Sequence, residues 1–128
     1  MPIRIVRLGS ARSPKEGVRI GTVRRPPRGV PKSQFSSRNW YDVWLPMLSP
    51  SANTVKLGLK ADSPRRWAAF EKRYRTEMKG ADASRVLDLL AALSHVAAFS
   101  VGCYCEDESR CHRSILRQLL IDRGAKVL

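Results

Sequence analysis

The sequence is short of long apolar runs, of acids and of cysteines, and each shortage excludes something. No stretch of its 128 residues approaches the roughly 20 apolar positions that span a bilayer, so no membrane partner is expected. MPIRIVRLGS, at the N-terminus, lacks the apolar core and small-residue cleavage site of a secretory leader. Three cysteines, an odd number, cannot close a full disulfide framework. They imply reduced thiols and a cytoplasmic, bacterial-type address. Aromatics are scarce where basic charge is densest: of nine, only Phe35 precedes the Trp40-Tyr41 pair, which leaves little platform for stacking single-stranded bases. No internal repeat and no cofactor motif is present, and no cofactor is expected. No feature fixes an oligomeric state.

What is present suits a single globular domain, residues 1–128. Apolar residues make up 43% and charged residues 27%, which fits a packed chain rather than a disordered one. That length buries a core without disulfide or metal staples. With Lys+Arg 24 against Asp+Glu 11, the formal charge is +13. Residues 1–40 hold ten of the basic groups against one acid, Glu16. A field of that sign attracts polyanions, either nucleic acid along the basic N-terminal third or small phosphorylated ligands. The plainer alternative is a solvated basic surface.

Pattern along the chain points to an α/β fold. PIRIVRL (2–8) alternates as a half-buried strand does, and VRIGTV (18–23) reads as a second after the turn-rich SARSPKEG. RRPPRGVPKSQFSSRN (24–39) is a basic loop too long to be only a connector. WYDVWLPML (40–48) reads as a short helix or buried turn ended by Ser49-Pro50-Ser51. Asp62-Ser63-Pro64 signals a helix start, and Trp67, Phe70, Tyr74 and Met78 then share one face up to Gly80. A second helix from about Asp82 places Val86, Leu89, Leu90 and Leu93 on its inner side. The apolar run 95–101 suits a strand buried on both faces, with His95 at its start as a structural residue. Ile115, Leu116, Leu119 and Leu120 mark a last helix ending near Gly124, and GAKVL reads as a closing strand. The sum is a mostly parallel sheet with helices on both faces.

GCYCEDESRCHRS (102–114) gathers all three cysteines, one of two histidines and the densest acidic run. It falls where the buried strand gives way to the last helix, the usual ligand position of an open α/β sheet. Four readings compete. Cys103, Cys105, Cys111 and His112 make a possible zinc set, but C-x-C-x5-C-H departs from the usual paired spacing, and neighbours on a helix are expected to diverge. Cys111, at a helix start beside Arg110, His112 and Arg113, has the surroundings of a thiolate nucleophile. CHRSILR also spells the C-x5-R of cysteine phosphatases, but HRSIL lacks the glycines that let a phosphate loop curl. A redox disulfide is open to Cys111 with Cys103 or Cys105, whereas Cys103 and Cys105 sit near the ~7 Å limit for pairing with each other. The fourth reading is a packed structural turn, with Glu106-Asp107-Glu108 solvated and paired to Arg110.

Several motifs together resemble the YeaO-like proteins, a bacterial domain-of-unknown-function family (number 488). The resemblance rests on VLDLLAALSHVAAFSVGCYCEDESRCHRSILRQLL, on Arg24 with Pro27-Arg28-Gly29-Val30, and on Asp42 and Trp44 with Ser49-Pro50-Ser51. Asp62, Pro64, Trp67, Phe70 and Tyr74 complete it. Cys103 and Cys111 match the family's two cysteines; Cys105 stands where it often has glutamate, and Val23 where it usually has an acid. The resemblance implies a small cytosolic α/β domain and carries no reaction with it.

The residues themselves suggest the chemistry. Arg24, Arg28 and Arg113 around a helix start form an expected anion site, since guanidinium binds phosphate and carboxylate in forked geometry. Cys111 and His112 are the catalytic candidates, imidazole being the side chain that titrates nearest neutrality. The expected function is an enzyme on a small anionic substrate. A nucleic-acid-associated basic module and a thiol redox or metal-binding module are the alternatives. In the composite site, Arg24 or Arg28 is expected to approach Cys103–Arg113, with the acidic turn anchoring the basic loop.

Overall fold

Alternation in PIRIVRL puts Ile3 and Ile5 on the packed side of the first strand, β1 (Ile3–Arg7). β2 (Val18–Gly21), the two-residue β3 (Val43–Trp44) and β4 (Phe99–Cys103) complete one sheet in the order β1-β4-β2-β3, every pairing parallel. The computed structural model describes residues 2–128. β4 lies between β1 and β2, and all five of its residues are buried, as a central strand in a parallel sheet requires. It starts later than the apolar run suggests. His95–Ala98 instead close the preceding helix, and the exposed His95 donates from Nε2 to the Gly124 carbonyl at 2.8 Å. The expected closing strand shrinks to one bridge, Ile3 to Val127.

Four helices fill the rest: α1 (Ala52–Leu59), α2 (Pro64–Met78), α3 (Ala81–Leu93) and α4 (His112–Asp122). Ser49-Pro50-Ser51, expected as a stop, is the start of α1. The Ser51 hydroxyl accepts from Thr54 N–H, and Glu77 of α2 accepts from Ser51 N–H at 2.9 Å and from the Thr54 hydroxyl at 2.7 Å. α2 begins at the expected cap, with Ser63 accepting from Arg66 N–H, and it buries Phe70, Tyr74 and Met78. Trp67 stays at the rim, stacked on Phe70 with centroids 4.8 Å apart. α4 buries Ile115, Leu116, Leu119 and Leu120, as expected.

α3 turns a different face inward. Ala83, Leu87, Leu90 and Ala91 are buried, while Leu89 and Leu93 are exposed and Val86 packs only at the edge. Small residues at 83 and 91 let neighbouring helices approach, and a leucine-rich helix offers two stripes of equal period.

The buried side chains of α2, α3 and α4 join Ile3, Ile20, Phe99 and Val101 in one core. The opposite side of the strands meets the loops before β2 and β3. There Arg19, with no exposure, bonds the Glu16 carboxylate at 2.6 and 2.9 Å, and Ser100 donates to that carboxylate at 2.7 Å. The Tyr41 ring lies so close over β2 that a Cβ at Gly21 would sit 2.4 Å from it. That is why the strand ends in glycine.

Candidate active site

The centre of interest is built where β4 ends and α4 begins. Cys103 is the last residue of β4, and a short 3-10 turn (Glu108–Arg110) leads to Cys111, the extended residue capping α4. His112 is the first helical residue and Thr22 directly follows the adjacent strand, so the sheet register sets their meeting. The Thr22 hydroxyl donates to the Gly102 carbonyl at 3.0 Å. Its single proton thus committed, it accepts from His112 Nε2 at 3.1 Å, and the Thr22 carbonyl accepts from the same nitrogen at 2.9 Å. Two acceptors at Nε2 place the ring proton there and leave the Nδ1 lone pair facing the Cys111 thiol, 3.7 Å away. The Tyr74 ring, edge-on at 5.4 Å, holds the imidazole from the helical side.

The thiols converge as well. Cys103 Sγ and Cys105 Sγ are 3.8 Å apart, and all three cysteines are free. Cys103 Sγ, Cys111 Sγ and a ring nitrogen of His112 lie within 4.8 Å of one another. The expected divergence of Cys111 and His112 therefore fails. Cys111 caps the helix in extended conformation instead of lying on it, so its side chain swings back toward the imidazole.

Hydrogen bonds among the thiols decide where charge rests. Bonds from Cys103 and then Cys111 hold the Cys105 thiol well below its usual range; burial opposes them and the Arg113 charge adds to them. The same bonds to Cys105 and Cys111, with burial, push the Cys103 thiol up. Cys111 is lowered by its bond with Cys103 and by His112, against Cys105 and burial. Cys105 is exposed, whereas Cys103 and Cys111 are buried. The centre thus presents one exposed sulfur, Cys105, whose surroundings favour its charged form, backed by two buried cysteines and an oriented imidazole.

A cleft of about 1450 Å³ opens over this centre, with Cys103, Cys105, Cys111 and His112 in its wall. Arg7, Arg24, Arg25, Arg28 and Arg110 also line it. The basic loop and the cysteine segment therefore share one cleft, but the expected anchor between them is different. Arg24 donates to the carbonyls of Pro50 (3.2 Å) and Ser49 (3.5 Å), and Tyr104 O–H donates to the Arg25 carbonyl at 2.9 Å. The acidic turn pairs elsewhere: Glu106 with Arg7 at 3.5 Å and Glu108 with Arg117 at 3.1 Å. Asp107 caps Ser109, so Arg110 is not the partner expected for this turn. Arg113 is buried outside the cleft lining, donating to the Cys105 carbonyl, and its Nε has no partner among the described residues. Arg28 is exposed on the cleft rim beside Gly29, whose φ of 69° makes the tight turn.

Sequence reasoning singled out Cys111, His112, Arg24 and Arg28, placed Arg110 beside the thiol, and missed Thr22 and Arg7. Thr22, which orients the imidazole, carries no motif. Arg7 and Arg110 reach the cleft through strand register and the 3-10 turn. Cys105, read as a weak metal ligand or a disulfide partner of Cys111, is the exposed thiol.

A parallel α/β sheet with a thiol–imidazole centre at the carboxyl end of its central strand defines the class. Within it, the chain belongs to the DUF488-N3a family, described as the active DUF488-N3 subclade, whose sequence profile matches residues 3–124. No curated protein and no solved structure matches the chain. Among the described residues no helix is long and apolar enough to cross a membrane.

Proposed function

We propose that the protein is a thiol-dependent enzyme acting on a small anionic, phosphate- or carboxylate-bearing substrate. The observation that carries this reading is an exposed Cys105 in the wall of a cleft that five arginines also line. Cys105 meets the substrate, Cys111 and His112 exchange the proton behind it, and Thr22 fixes the imidazole. Arg28 and Arg24 hold the anion; Arg113 positions the loop and steadies the thiolate through its charge. Three free thiols suit a reducing, cytoplasmic address.

Two alkylating reagents of similar size test this without a known substrate. Free thiols react more slowly with anionic iodoacetate than with neutral iodoacetamide. In this cleft the preference shifts toward iodoacetate by about fivefold, the weight of roughly 1 kcal/mol of charge attraction. Peptide mapping finds the label on Cys105, and Arg28→Ala returns the ratio toward that of a free thiol. A ratio in the wild type equal to that of glutathione would remove the reading.

A second reading has its own support. The cleft, at about 1450 Å³, exceeds the usual small-ligand range of about 300–1,000 Å³. The anion it takes would then be one phosphate of a nucleic acid, with the basic residues of 1–40 providing the approach.

A further inference from the structure

The distances among the three thiols and His112 have a second meaning. In a tetrahedral zinc site, Zn–S bonds of about 2.3 Å and Zn–N bonds of about 2.0–2.1 Å set ligand-to-ligand separations of roughly 3.5–3.8 Å. Cys103 Sγ to Cys105 Sγ is 3.8 Å, and Cys111 Sγ to His112 Nδ1 is 3.7 Å. Cys103, Cys111 and His112 lie within 4.8 Å of each other, so the edges among these three close with shifts of about an ångström, while Cys105, exposed and 3.8 Å from Cys103, has to swing inward to complete the set. The imidazole is prepared in the way metal-bound histidines usually are. One ring N–H is donated to a backbone carbonyl, Thr22 O at 2.9 Å, and the other nitrogen is presented bare. Sulfur-rich donor sets of this kind select soft or borderline ions such as Zn²⁺ over Mg²⁺ or Ca²⁺.

We infer that Cys103, Cys105, Cys111 and His112 form a closed site for one Zn²⁺-class ion, and that filling it switches the thiol centre off. The inference concerns regulation of the centre proposed above, but its geometry stands without that reading. With Cys105 as fourth ligand the ion has no open position, so the bound form is a blocked form. The sulfur that faces the cleft and the imidazole nitrogen behind it are both consumed as ligands. Whatever protons the ligating thiols still hold leave to solvent as the ion binds, and no electron moves, so the switch reverses with a chelator. Entry is available through the cleft, because Cys105 is exposed there.

The test uses the full chain, reduced and chelator-treated, titrated with Zn²⁺ alone and separately with Co²⁺. One Zn²⁺ per chain is expected, with alkylation of the three cysteines slowed at least tenfold and restored by chelator. The Co²⁺ form is expected to show thiolate-to-cobalt charge transfer and the intense visible bands of a four-coordinate site. Cys103→Ser weakens Zn²⁺ binding by at least tenfold. Should that variant not fold, Cys105→Ser, at an exposed position, reduces the cobalt charge-transfer intensity by about a third as three thiolates become two. Weak octahedral cobalt bands, unslowed alkylation at saturating Zn²⁺, or undiminished intensity in Cys105→Ser would each overturn the site. The iodoacetate preference, measured in chelator, is independent. If it persists while zinc fails, the enzyme reading survives alone; if zinc binds without it, the site survives alone.

Discussion

Glu16 and Arg19 are an ion pair with almost no access to water, and Asp42 is a half-exposed relative of it. Burial works against both carboxylates. For Glu16, hydrogen bonds from Arg19 and Ser100 outweigh that cost and leave its carboxyl below the ordinary range. For Asp42, the Arg12 guanidinium, the Arg19 N–H and the Ser36 hydroxyl do the same and hold it at about 2. Both groups have folded values below their unfolded ones. The stability they contribute is therefore complete above the ordinary carboxylate range, and Asp42's share is lost as pH falls through about 2. Thermal melts should show Tm falling progressively from about pH 5 downward as the unfolded chain takes up protons first. Asp42→Asn should lower Tm near neutrality, by the equivalent of about 1–2 kcal/mol for a partly exposed charged network, and flatten the acid limb. A variant whose acid limb overlays the wild type would show that Asp42 is not the group responsible. None of this is visible in composition. Residues 1–40 read as a field of ten free cations, yet Arg19 is sealed inside and Arg12 is spent on Asp42.

At the scale of elements, α1 and α2 pack so closely that one glycine decides the contact. In isolation, Gly58→Ala inside a helix gains about 0.5–1 kcal/mol from backbone entropy. Here the added Cβ would lie 2.8 Å from two carbons of the Phe70 ring, which is 4% exposed and stacked between Trp67 and Tyr74. Overpacking costs typically about 1–3 kcal/mol, so the clash wins and Gly58→Ala should lower Tm. A denaturant midpoint equal to or above the wild type would show that the ring can yield. The same pair of helices marks what the sequence could and could not reveal. α2 was legible because cap, proline and aromatic stripe agree on one helix and one inner face. α1 was not, because ANTVKLGL has no apolar stripe and its stability comes from Glu77, 26 residues after Ser51, reaching back to its first turn. β3 is two residues long, below any periodicity. α3 was found but turned wrongly, since its inner face is chosen by neighbours and not by leucine content. The candidate site was half legible for a similar reason. Cys111 and His112 stand together in the chain, whereas Thr22 reaches His112 across 90 positions through sheet register.

For the whole molecule, the question is how much of the +13 charge acts together. Arg19 is internal, Arg12 pairs with Asp42, Arg7 leans on Glu106 and Arg24 is tied to carbonyls. The cleft therefore concentrates a few guanidiniums around one exposed cysteine, and the remaining basic groups are spread over helices such as α2. That distribution separates the two proposed ligands by salt. A polyanion laid along the basic surface would release counterions with a slope of about −0.9 per phosphate neutralised, so engaging Arg25, Arg28 and Arg110 together would give roughly −3. A small dianion in the cleft exchanges only one or two ions and responds far less steeply. We expect inorganic phosphate or pyrophosphate to raise Tm, with an affinity that falls less than about tenfold between roughly 50 and 200 mM salt. Arg28→Ala should weaken that effect. Binding of a short fluorescent DNA or RNA duplex should be lost over the same interval. Retention of duplex binding near physiological salt, with a slope of about −3 or steeper and no thermal shift by phosphate, would reverse the ranking. The cleft would then be the place where a nucleic-acid backbone meets the Cys105 thiolate.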